Sequence, residues 1–175
     1  MKHYEYSLSF SLAKATKTSE ECTDFLFEAG CDDAVVGVGA ANSIALTFDR
    51  HSDTAESAIR QSIAQVTMAI AGAELLEVKP DLVGLSDIAE LVGCSRQNIR
   101  QLAADTKTPF PQPSATGSVP LWHFYEVGLW LMDNKRVKSK PTLESLEVSK
   151  TAFKLNMDVQ HQRFERCVAD NKPTY

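Results

Sequence analysis

Polar and apolar residues alternate at the start of the chain. Tyr4, Tyr6, Leu8, Phe10 and Leu12 fall on one side of an extended backbone, and Glu5, Ser7, Ser9 and Ser11 on the other. That pattern predicts a strand with one buried face. The period then lengthens. Thr18 or Ser19 can cap a helix with Glu20 and Glu21 in its first turn and Asp24 following; Cys22, Phe25, Leu26 and Ala29 make its apolar stripe and Gly30 ends it. Residues 33–39 and 43–49 read as strands, joined by a hairpin turn at Gly39-Ala40-Ala41-Asn42. Ser52 or Asp53 opens a long helix that reaches Ala71, with Ala55, Ala58, Ile59, Ile63, Val66 and Ile70 at helical spacing and Gly72 closing it. Residues 74–79 form a last strand, stopped by Pro80.

The order β-α-β-β-α-β places residues 1–80 in the α+β class. It predicts a ferredoxin-like domain, with two helices on one face of a four-stranded sheet. That fold does not choose a function. Gly37-Val38-Gly39 lacks a third glycine and a following helix, so it reads as hairpin glycine and not as a phosphate loop.

Residues 81–140 read as a second unit, entered through Asp81-Leu82-Val83-Gly84. Ser86 is a candidate N-cap, Asp87 suits the helix dipole, and Ile88, Leu91 and Val92 share a face. Ala89 is small enough for a close helix crossing. Gly93 can take the left-handed conformation that ends the first helix. Cys94 is expected to be buried in the turn, Ser95 caps a second helix, and Ile99 and Leu102 anchor it. Ser95, Arg96, Gln97, Asn98, Arg100 and Gln101 then point outward. Arg can bond guanine O6 and N7, Asn and Gln can bond adenine N6 and N7, and Ser95 at the helix start can reach a phosphate. Residues 108–122 read as two short strands around a Thr116-Gly117 turn, with Phe110 and Trp122 at the base. A further helix starts at or near His123 and ends near Asn134; His123 is expected to act as a cap or a phosphate contact.

The run Leu85-Ser86-Asp87-Ile88-Ala89, Gly93-Cys94-Ser95-Arg96, Phe110-Pro111-Gln112-Pro113 and Leu121-Trp122 with Val127 and Trp130-Leu131 resembles the winged helix-turn-helix of MerR-like and AlpA/excisionase-like DNA-binding proteins. The resemblance implies a recognition helix at Ser95–Ala103 in the major groove. It also implies a wing tip at Ser114, Thr116, Gly117 and Ser118 over the neighbouring backbone or minor groove. The tip carries no Arg or Lys, which departs from the pattern. Lys135 and Arg136, just beyond, are candidate phosphate contacts.

Residues 141–175 read as a last helix from Pro141-Thr142 and a frayed tail from Asp170. Leu143, Leu146, Lys150, Phe153, Met157, Gln160, Phe164 and Cys167 recur at three- and four-residue spacing. This seam suits either a dimerising helix or one that packs back on the rest of the chain.

Charge sharpens the picture. Residues 1–80 carry 6 basic and 12 acidic side chains, whereas residues 81–140 carry 7 and 6. The acidic whole, with pI near 5.4, argues against a sprawling non-specific nucleic-acid binder but leaves room for one small basic face. The four cysteines and four histidines are scattered. They suggest no zinc site, disulfide framework or other metal site, and a cytoplasmic setting. No apolar leader or membrane span is read. No catalytic residues and no cofactor are assigned, so an enzyme is not expected.

The expected function is a sequence-specific regulator of transcription that binds double-stranded DNA as a homodimer. The N-terminal domain is free to bind a partner protein or a small effector. The alternatives are an architectural DNA-bending or recombination directionality factor, and an interaction module that works through the N-terminal domain alone.

Overall fold

The computed structural model describes residues 1–15, 21–39, 42–134 and 137–170. Strand β1 (Lys2–Ser11) leads to α1 (Cys22–Glu28), β2 (Ala34–Gly39), β3 (Ser43–Ser52), α2 (Ala55–Ala69) and β4 (Glu74–Lys79). The four strands form an antiparallel sheet in the order β2-β3-β1-β4. Alternation fixes its register: Tyr6 lies opposite Phe48, Leu8 opposite Leu46 and Phe10 opposite Ile44, all buried on one face. Ala58, Ile59 and Val66 of α2 and Leu26 of α1 join the same core. Burying each large side chain there contributes about 1.5–3 kcal/mol.

Local details depart from expectation. The cap of α2 is Thr54, whose hydroxyl accepts the Ser57 N–H at 3.1 Å, and neither Ser52 nor Asp53, because β3 continues through Ser52. Phe25 is exposed, although Cys22 and Leu26 of the same helix are buried. The cap residues expected at Thr18 and Ser19, the acidic Glu20, and the turn residues Ala40 and Ala41 lie outside the described residues.

The remaining elements are β5 (Leu82–Val83), α3 (Leu85–Leu91), α4 (Arg96–Ala103), β6 (Ala115–Thr116), β7 (Pro120–His123), α5 (Phe124–Asp133) and α6 (Leu143–Asp170). Strands β5, β7 and β6 pair antiparallel in that order. The protein is thus mixed α+β with antiparallel sheets. The connecting segment at Leu82–Val83 is a strand and not a plain link. Residues 108–114 form no strand. Prolines at 109, 111 and 113 each lack the N–H a ladder needs.

A second buried cluster gathers Val83, Ile88, Ala89, Val92, Ile99, Phe110, Trp122, Phe124, Val127, Leu131 and Val137. It is separate from the core of the larger sheet. Helix α6 belongs to the larger core, through Val148, Ala152 and Leu155. These lie almost opposite, around the helix, from Lys150, Met157 and Phe164 of the expected seam, which are exposed. Of that seam only Leu146 is buried. Leu146 sits so close to α5 that any side chain at Gly128 would run into it.

No helix among the described residues is long and apolar enough to cross a membrane.

Candidate nucleic-acid interface

Helices α3 and α4 are built by sequence signals that agree with each other. The N-cap of α3 is Gly84, not Ser86: Asp87 Oδ2 accepts the Gly84 N–H at 2.8 Å, which places the helix start two residues earlier. Gly93 sits at φ +65°, where a Cβ would strain the backbone, and it ends the first helix. Ser95 Oγ accepts the Asn98 N–H at 3.2 Å and starts α4. Its hydroxyl proton remains free to donate to an anion. Ile88, Ala89 and Val92 bury against Ile99, while Leu91 turns outward and Cys94 is half-buried.

With Ile99 held inside, the rest of α4 is dictated by helix geometry. Ser95, Arg96, Gln97, Asn98, Arg100 and Gln101 are all exposed. At about 100° per residue, Arg96 and Arg100 form one row, Gln97 and Gln101 form the next, and Asn98 lies at the rim. The two arginines are one turn apart and repel each other by a few tenths of a kcal/mol. Neither is neutralised: Arg96, Arg100, and Lys107 in the turn after α4, make no ion pair with any described residue. Lys107 carried no motif and was missed in the sequence. Its signal is only a lone cation just after a helix of this kind.

The expected wing residues Ser114, Thr116, Gly117 and Ser118 are exposed as well. Ala115 pairs with Leu121 and Thr116 with Pro120, so residues 117–119 make the turn. The base is an aromatic cluster. The Phe110 ring meets Trp122 edge-on at 5.8 Å and Trp130 at 5.0 Å, and Trp122 Nε1 donates to the Pro111 carbonyl at 2.9 Å. Helix α4 and the wing are therefore anchored in one small core. Lys135 and Arg136 lie outside the described residues. Beyond them Lys138 is exposed without an ion pair to any described residue, and Lys140 Nζ donates to the Met132 carbonyl at 2.6 Å.

A polar network beneath this surface was not foreseen. His123 Nδ1 lies 2.6 Å from Asp81 Oδ1, and the His123 ring stacks on Phe153 of α6 at 3.6 Å. His123 occupies the N-cap position of α5, as expected, but its side chain makes no capping bond and turns to Asp81 and Phe153, not outward to a phosphate. Asp81 is buried, its carbonyl accepts the Phe124 N–H at 2.7 Å, and its Oδ2 accepts from Asn156 Nδ2 at 2.7 Å. Asn156, also buried, bonds the Val78 N–H through Oδ1 and the Val78 carbonyl through Nδ2, each at 2.8 Å. One amide therefore ties the edge of the larger sheet to the start of α5. Residues this far apart in the chain leave no local pattern to read.

The electrostatics of the larger sheet differ. Arg50 is clamped by Asp33 through two bonds of 2.7 Å and by Gln65 at 2.7 Å. Hydrogen bonding to Arg50 holds the Asp33 carboxyl below the usual aspartate range. Burial, helped by the Glu147 carboxylate 2.6 Å away, pushes the Tyr4 hydroxyl up to about 12. Among the described residues no group of His, Cys, Asp and Glu is arranged to hold a metal ion.

Compared with known families, curated proteins and solved structures, the chain matches none.

Proposed function

We propose that this chain is a sequence-specific DNA-binding regulator of transcription that acts as a homodimer. In this reading residues 85–136 are a winged helix-turn-helix of the MerR-like or excisionase-like type, and residues 1–80 are a ferredoxin-like domain. The strand orders β2-β3-β1-β4 and β5-β7-β6 fit those two arrangements.

The observation that carries the reading is the unneutralised row of Arg96 and Arg100 beside Gln97 and Gln101, held outward by a buried Ile99. A helix that served only to pack would gain from a carboxylate one turn away from either arginine. This one carries none. In the complex Ser95 and Lys107 meet phosphates, the arginine row reads guanine, and the glutamine row reads adenine.

Selection of bound duplexes from a random pool tests the reading. A defined consensus is expected, and Arg96→Ala should weaken binding to it by about 1–3 kcal/mol and relax one base preference. If parent and variant bind the whole pool equally, α4 does not read DNA.

A further inference from the structure

The two edges of the larger sheet are treated in opposite ways. Strand β4 is shielded: Asn156 occupies both the N–H and the C=O of Val78, Glu74, Glu77 and Lys79 put charge along the strand, and the pairing with β1 shifts register between Ser9 and Phe10. These are the devices that keep a sheet edge from adding another strand. Strand β2, at the other edge, lacks these devices among the described residues, apart from the Ala34 N–H, which donates to the Cys31 carbonyl at 3.1 Å. Its sequence Ala34-Val35-Val36-Gly37-Val38-Gly39 contains no charge and no proline, and its pairing with β3 runs without a bulge. Val35 is 75% and Val38 60% exposed. They stand on opposite faces of the sheet, so each face of β2 carries one exposed valine, while Ala34 and Val36 pack against the core.

We propose that β2 is the dimer interface: it pairs antiparallel with β2 of a second copy of this chain, joining two four-stranded sheets into one. The choice of a second copy rests on charge and on register. Residues 1–80 carry twice as many acidic as basic side chains, so most of this surface repels its own copy. Strand β2 is the uncharged edge, and Asp33 just before it is neutralised by Arg50. A two-fold axis perpendicular to the sheet keeps each side chain on its own face. With the axis at Val36, Val35 lies opposite Gly37 of the second copy and Val38 opposite Ala34. No charges meet, and no two of the exposed valines compete for the same space. The pairing deepens the dimer part of the function above but does not depend on whether α4 reads DNA.

Sedimentation equilibrium of the full chain without DNA tests it, together with amide exchange. The native chain should sediment at twice its monomer mass in the micromolar range. Val35→Lys alters a side chain that is already mostly solvated, so the fold is expected to survive; circular dichroism and the melting temperature check this. It should sediment as a monomer, with the β2 amides that point away from β3 exchanging at least about tenfold faster than in the native dimer. Phe164→Glu, on the exposed part of α6, should leave the dimer intact. A monomeric native chain overturns the proposal. So does a dimer that survives Val35→Lys, or one that is lost in Phe164→Glu and not in Val35→Lys. Loss of DNA binding with the dimer retained would instead count against the reading of α4 alone.

Discussion

The sheet of residues 2–79 and the helix pair of residues 85–103 use arginine for opposite ends. In the first, Arg50 is nearly enclosed, forked onto Asp33, and lies over the Phe48 ring at 4.9 Å. Lys2, Lys14, Arg60 and Lys79 likewise have carboxylate partners. In the second, Arg96 and Arg100 face water with no ion-pair partner among the described residues. Among the described residues outside 81–140, the exposed Lys150 and Arg163 of α6 are the other lysine or arginine side chains without an ion pair. Charge in the sheet has been spent on holding the fold. On α4 it is left available, at some cost to the helix itself.

The contrast can be broken at its joint. Asn156→Ala removes the amide that serves Val78 and Asp81, leaving buried polar groups unsatisfied. A loss of about 3 kcal/mol in unfolding free energy is expected, read by urea denaturation. A loss under about 1 kcal/mol would mean that water replaces the amide freely.

The two arginines should then separate cleanly. Arg50→Ala is expected to destabilise by about 2–3 kcal/mol while leaving the affinity of the folded protein for its selected DNA unchanged. Arg96→Ala should do the reverse. Acid sharpens the same point. Because Asp33 titrates below its ordinary range in the folded protein, its contribution is full above the unfolded value near 4 and is lost as pH falls through the lower folded one. Asp33→Asn should therefore be less stable than the native chain at neutral pH, and the gap should narrow as acid is added. A gap independent of pH would show that the Asp33 charge contributes nothing.

The smallest effect is the most specific. Arg96→Glu places an acid in the first turn of α4 and four residues before Arg100. It should stabilise the protein by about 0.3–0.5 kcal/mol while abolishing sequence-specific binding. A variant that gains stability and keeps its consensus would end the argument that this row is held ready for DNA.

Much of this architecture is legible in the sequence. Strand β1 and helix α2 announce themselves because a single face of each is buried, so burial and periodicity coincide. The helix pair is legible because Gly93, Ser95 and Ile99 each answer a separate steric demand. Other features were not legible, for identifiable reasons. A two-residue strand such as Leu82–Val83 is too short to have a period. Caps at Thr54 and Gly84 lose to nearby rivals because Ser52, Asp53 and Ser86 are chemically as suitable. Helix α6 misleads because two stripes compete on it: the heptad row is longer, but the row of Val148, Ala152 and Leu155 is the one that meets the sheet. The exposed side chains of α4 could be listed from sequence. That no carboxylate of the described residues pairs with them could not.

The amide of Asn156 has a consequence for how large an assembly of this chain can become. A sheet with two receptive borders can add subunits without limit and grows into a fibre. Here Asn156 covers one border of the larger sheet from within the molecule, so the proposed joining at β2 would use up that sheet's other border and growth would halt at a pair. Remove that seal, and the same strand chemistry that closes a dimer would be free to propagate.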